Sequence, residues 1–257
     1  MANNNAYGPL DLRNHINTDP RNKTATPVET LLKQNFPILI DEQQIEEVKN
    51  FRGILINLLN SQQKVIMLVG YFQSYKYFDM YKKGIFKIIK LETKQNILKT
   101  KFANDINFDT TVSLHFRLGD YKKLQDYHPI LLDTYYIDAL KQIKKDTNTN
   151  NIYKPIRTIL YFCEDTDFDE VLGKIYNLEQ IFPELIFIRA DNNLQDWEQL
   201  VLMSLCSHNI IANSTFSWWG AYFNTNPTKI VCYPSTWFGP KAGHNTDDMF
   251  SENWIKI

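Results

Sequence analysis

The stretch Val112–Lys123, "VSLHFRLGDYKK", is an alternating apolar run that carries His115 and Arg117 at its far end and breaks at Gly119-Asp120. Read as a strand, it decides the fold. Side chains two apart on a strand share a face, so an imidazole and a guanidinium leave this one as neighbours. Two such groups ending a buried strand imply an anion in front of them.

The pattern repeats outward from this strand. "TVSLHFR" precedes a helical stretch at Leu132–Lys145, "TILYFCE" one at Phe168–Tyr176, and "LIFIRA" one at Leu194–Leu205. "NIIANS" precedes Phe216–Phe223, and "KIVCYPS" follows. This β/α alternation predicts an α/β fold built on a doubly wound parallel sheet. Its strands end in His115 and Arg117, Glu164 and Asp165, Arg189 and Asp191, and Asn213 and Ser214. Each pair alone reads as caps or loop residues. Together they predict a binding crevice, because open α/β sheets bind ligands at the carboxyl ends of their strands. The polar run "KKDTNTNNIYKP" inside this half reads as a surface loop.

Ahead of the sheet the pattern is thinner. Residues 1 to 35 lack periodicity and read as loop or extended chain. "DEQQIEEVKNFRGILINLL", from Asp41 to Leu59, opens with acids and spaces its apolar residues as a helix. "KVIMLVGYF" reads as a buried strand, and Tyr75–Phe102 as a lysine-rich helical stretch. The expected division is 1–110, a short N-terminal α/β region, and 111–257, a Rossmann-like domain.

Composition sets outer limits. With 44% hydrophobic and 14% aromatic residues, the chain can bury a sizeable core. A net charge of -1 argues against a nucleic-acid coat or a basic membrane-surface protein, so any anion is met by a few placed cations. Cys163, Cys206 and Cys232 are odd in number and widely spaced, which fits a reducing compartment and no disulfide framework. Cys206 and His208 lack a second ligand pair, so no metal is expected there. "MANNNAYGPLDLRNH" has no apolar core of a signal peptide, and "VIMLVGYF" is too short to span a bilayer. A cytoplasmic, soluble protein is the expectation.

"IANSTFSWWGAYF" supplies the second half of a site. Asn213, Ser214 and Thr215 follow an apolar strand and offer N-cap oxygens to a helix, whose first turn suits phosphate. Trp218 and Trp219 read as core. The chain has neither G-x-G-x-x-G nor G-x-x-x-x-G-K-[ST]. A phosphate would therefore sit on Arg117 and a Ser/Thr-lined helix start.

These residues resemble a known family. "HFRLGDY" is similar to the H-x-R-R-G-D-Y motif of the α-1,2-fucosyltransferases, inverting glycosyltransferases of the GT-B type. "LVLMSLCSHNIIANSTFSWWGAYF" is similar to their second signature, and "FCED" and "GYFQSYKYFD" to further family segments, in consistent order from Lys64 to Phe238. The resemblance implies transfer of L-fucose from GDP-L-fucose to a glycan hydroxyl, with no cofactor and no metal. It implies that Arg117 meets the donor diphosphate, with His115 beside the nucleotide. Glu164 and Asp165 would lie near ribose or guanine, and Asn213, Ser214, Thr215, Phe216 and Ser217 would form the phosphate-binding turn. The loop "KKLQDYHPI" would lie beside the donor sugar, which makes Asp126, then His128, the candidate base. Association with a membrane would come only through the glycan substrate.

Two positions depart from the pattern. Leu118 stands where the motif has its second arginine, and no G-G-L-G-N-Q segment opens the chain. The short N-terminal region leaves room for a separate partner chain on the acceptor side. It also leaves open a non-catalytic relic that binds a nucleotide sugar or glycan.

Overall fold

A computed structural model describes residues 74–257 together with the backbone of two earlier strands. The chain divides into two compact units, Met1–Tyr77 and Phe78–Ile257. In the first, β1 (Leu39–Asp41) and β2 (Met67–Val69) pair in parallel. β2 lies within the apolar run expected as a strand, whereas β1 was not expected. The helix expected from Asp41 to Leu59 lies outside the described residues beyond Asp41 itself, which ends β1.

The second unit opens with α1 (Lys82–Ile88) and α2 (Leu91–Lys101). A continuous helical stretch was expected here. Lys90, at φ 54°, breaks it by turning the chain left-handed between the two helices. Sequence periodicity places both helices in the N-terminal region, yet α2 packs with the sheet unit. Leu91 and Leu98 share a core with Val201 and Leu202 of α5 (Asp196–Leu205). The unit boundary at Tyr77/Phe78 thus precedes the expected one near residue 110.

From Thr111 the chain alternates as its periodicity predicts. β3 (Thr111–His115), α3 (Asp133–Thr149), β4 (Thr158–Phe162), α4 (Phe168–Ile181) and β5 (Ile186–Arg189) come first. After α5 follow β6 (His208–Ile210), α6 (Thr215–Phe223), β7 (Val231–Tyr233) and β8 (Ile255–Lys256). α4 extends past Tyr176 because Leu178 is one more core residue on its inner face.

The sheet has six strands in the order β5-β4-β3-β6-β7-β8, and every pairing is parallel. Both faces are covered, as a parallel sheet requires. Along β4 the side chains alternate between two cores. Ile159 and Tyr161 join Tyr136, Leu140 and Val171 of α3 and α4. Leu160 and Phe162 join α2 and α5. This is the doubly wound, Rossmann-like sheet expected from the sequence.

Strand order reverses between β3 and β6, and that is where such sheets open a crevice. Buried polar bonds tie β6 to its neighbours. Asn209 donates to Ser113 Oγ at 2.7 Å, and Asn224 donates to Asn209 Oδ1 at 2.8 Å. Tyr135 Oη donates to the carbonyls of Ile211, at 2.6 Å, and Cys232.

Candidate functional site

The loop leaving β3 keeps the strand's alternation after the strand has ended. Phe116 and Leu118 are buried, and Arg117 between them reaches out. Phe116 still donates its N–H to Phe162 O at 2.9 Å. Leu118, only 1% exposed, belongs to the core shared with α3 and α4. The side chain at position 118 is thus given to the core, on the opposite side of the chain from Arg117.

Arg117 grips two carboxylates at once. Nη1 pairs with Glu164, at the end of β4, and Nη2 with Asp120 Oδ1 at 2.6 Å. Its guanidinium lies 4.9 Å from the centre of the Tyr121 ring. Tyr121 Oη in turn donates to Asn213 O at 3.0 Å, tying the β3 loop to the turn after β6. Tyr121 belongs to the "GDY" of the quoted stretch but was not singled out from sequence.

His115 does not act as a second cation. It is 8% exposed, its ring lies 5.6 Å from Phe216, and its Nδ1 has no hydrogen-bond partner among the described residues. Burial, and then the charge of Arg117, push its pKa down to about 3. A neutral imidazole beside a guanidinium thus replaces the cationic pair that the strand pattern suggested.

The turn after β6 separates into reachable and architectural residues. Ser214 caps α6, its Oγ accepting from Phe216 N at 3.3 Å. Ser217 is buried and donates back to the carbonyls of Ala212 and Ser214. Asn213 is buried, and its amide donates to Pro129 O at 2.8 Å and Trp237 O at 3.2 Å. Its Oδ1 has no hydrogen-bond partner among the described residues. Thr215 is exposed and Phe216 half-buried, so these two present the open start of α6.

The neighbours Glu164 and Asp165 diverge. Glu164 faces Arg117, while Asp165 accepts from Arg189 Nη2 at 2.5 Å and Asn192 at 3.1 Å. Those bonds, Asn192 first, hold the Asp165 carboxyl below its ordinary range. Arg189 also covers the Phe168 ring at 4.2 Å.

Asp126 is likewise drawn elsewhere. Its carboxylate pairs with Lys241 at 2.6 Å, both side chains 61% exposed. Two backbone bonds zip the same loops together: Gly239 N to Tyr127 O, and Lys241 N to Asp126 O. His128 is the member of this loop that joins the ring tier beside Arg117. It stacks on Tyr121 at 4.7 Å and 21°, with Phe238 at 5.8 Å. Partial burial lowers its pKa.

Asp167 is a site-bordering residue that the sequence did not flag. It is 3% exposed and accepts the Gly119 N–H at 2.6 Å, with Lys122 Nζ at 2.9 Å. Nothing in "FCEDTD" distinguishes it from the other acids. Cys206 and His208 are internal: the thiol is buried, and His208 Nδ1 accepts from Ile230 N at 3.0 Å.

A family model described as glycosyl transferase family 11 matches residues 16–257. The chain belongs to that family. It is similar to the O-antigen biosynthesis glycosyltransferase WbnK of Escherichia coli, 28% identical over 232 residues, covering 86% of this chain and 70% of that protein. It is also similar to an alpha-1,2-colitosyltransferase of Escherichia coli, 30% identical over 208 residues, covering 77% of this chain and 64% of that protein. In backbone shape, a crystal structure of the glycosyl transferase family 9 from Veillonella parvula DSM 2008 covers 65% of this chain and 40% of its own. Its TM-score is 0.35 at 10% identity, a likeness too slight to argue from. Among the described residues of this family-11 glycosyltransferase, no helix is long and apolar enough to cross a membrane.

Proposed function

We propose that this glycosyltransferase moves L-fucose from GDP-L-fucose to a sugar hydroxyl of a glycan, with inversion and without a metal ion, in the manner of a galactoside 2-α-L-fucosyltransferase. One observation carries the reading. A forked cation, Arg117, stands at the strand-order reversal and is tied through Tyr121 to the turn that opens α6.

The chemistry needs that arrangement. Cleavage of the glycosyl–phosphate bond sends its electron pair to a phosphate oxygen while positive charge grows on the sugar. A guanidinium and an open helix start are donors aimed at that developing anion. In the free protein Glu164 and Asp120 hold the guanidinium, and both carboxylates are exposed. The diphosphate takes their place. The acceptor oxygen attacks the opposite face of the sugar carbon, and neutral His128 is a basic group in the adjoining loop. The name of the colitosyltransferase relative carries the same 1,2 linkage, and that of WbnK a glycan product, which supports both parts of the reading.

The test is a thermal-shift and turnover screen with GDP-L-fucose, a colitose donor and other nucleotide sugars. GDP is expected to stabilise the fold with EDTA present, by about 2.7 kcal/mol at 100 times its dissociation constant. Stabilisation that appears only with magnesium or manganese overturns the metal-free part. Binding of GDP without hydrolysis or transfer would favour the relic over the enzyme.

A further inference from the structure

Asp167 is the N-cap residue of α4, yet it makes no side-chain cap bond to its own helix. Asp at that position ordinarily accepts an N–H from the first turn. Here the carboxylate turns to the β3 loop instead. Oδ2 takes the Gly119 N–H at 2.6 Å, and Oδ1 meets Lys122 Nζ at 2.9 Å. Lys122 also meets Glu170 of α4 at 2.8 Å. The acceptor is a buried acid, 3% exposed, so its two partners offset an otherwise costly buried charge. Gly119, at φ +37°, is a conformation that most side chains avoid, and it follows Arg117 by two residues.

Together with Glu164, this makes two grips by the β4 loop on the β3 loop, and they differ in kind. Glu164 is exposed and holds Arg117 by its charge. Asp167 is buried and holds the backbone of the turn. A diphosphate can displace the first without touching the second.

Resting on the fucosyl-transfer reading, we infer that Asp167 is a positioning residue: it fixes the Gly119–Lys122 turn, so that Arg117 stays aimed at the donor diphosphate after Glu164 lets go. The residue contacts no donor atom and acts through Arg117.

The test uses Asp167→Asn, which can still accept the Gly119 N–H but loses the charge on Lys122, and Asp167→Ala, which loses both. Neither removes an existing cap bond, so α4 is expected to persist in thermal melts. GDP affinity and kcat are measured for each variant, alone and in an Arg117→Lys background. Hydrogen exchange is followed at the Gly119 amide. The expected result is a loss in GDP affinity and kcat on the order of 10- to 100-fold, as for a displaced catalytic group, larger for Ala than for Asn. In the Arg117→Lys background the same changes should have little further effect, because the two residues act as one unit. Gly119 exchange should accelerate while the β3 amides stay protected.

Equal losses in both backgrounds would mark Asp167 as a general stability residue and overturn the inference. So would wild-type affinity and turnover in Asp167→Ala. If Asp167→Ala does not fold, the Asn variant and its cycle decide alone. Failure of the wild type to bind GDP overturns the functional reading itself and takes this inference with it.

Discussion

Arg117 satisfies Glu164 through one terminal nitrogen and Asp120 through the other, a planar fork that a primary amine cannot reproduce. Arg117→Lys is therefore expected to stay folded and to lose about 100- to 1000-fold in transfer, as when one oxyanion donor is removed. Initial rates at saturating donor, beside a thermal melt, check this; near-wild-type rates would mean that Arg117 is only an ion-pair partner. Gly239 is constrained by space rather than charge. A Cβ there would lie 2.2 Å from Asp126 O and 2.7 Å from Gln125 O, both backbone atoms. Gly239→Ala must push the two loops apart, and about 1–3 kcal/mol of destabilisation is expected from such overpacking. Denaturant unfolding measures it.

At the level of elements, the two loops that follow Tyr121 and Tyr233 behave as one piece, zipped at Asp126–Tyr127 and Gly239–Lys241 and tied to β6 by the Asn213 amide. The zip sorts the two candidate bases. Asp126 faces Lys241 in solvent, where water and salt screen an exposed pair of this kind to little effect. Asp126→Asn is therefore expected to transfer at close to the wild-type rate. His128 stacks on the ring beside Arg117 and, with its pKa lowered by partial burial, is neutral at pH 7. A base works unprotonated, so wild-type kcat should fall as pH drops through a value below the ordinary imidazole range. His128→Ala should lose that limb and on the order of 100-fold or more in kcat. A variant with unchanged rate and pH profile would remove His128 from the mechanism. The elements themselves were largely legible, since each long strand–helix pair carries its own periodicity. β1 and β8 were not, because neither stands in the strand–helix alternation by which the equally short β6 and β7 were read.

For the molecule as a whole, two buried histidines at the β3–β6 junction predict the response to acid. His115 ends β3 and His208 begins β6, and burial lowers their pKa values to about 3 and about 4. An unfolded imidazole titrates near 6.5. Between those values the unfolded chain binds more protons than the folded one, so stability falls as pH drops from about 6.5 toward 4. The melting temperature should decline across that window, and His208→Gln should flatten the decline. A melting temperature level from pH 7 to 4.5 would show that both imidazoles gain protons without opening the sheet.

The sequence by itself determined the α/β alternation, the crowding of polar residues at strand ends, and Arg117 as the cation beyond β3. These are local properties, set by a period of two or 3.6 residues and by which residue follows the last apolar one. The tertiary structure alone decided that β3 lies beside β6, because strand order depends on packing between residues nearly a hundred positions apart, as in the Ser113–Asn209 bond. It also decided that Glu164 faces Arg117 while Asp165 faces Arg189, and that Asp126 faces Lys241. Adjacent acids in a turn leave the backbone in different directions, and their partners come from other loops. The carboxylate of Asp167 meets a backbone N–H 48 residues away, a partnership with no trace in either segment read alone.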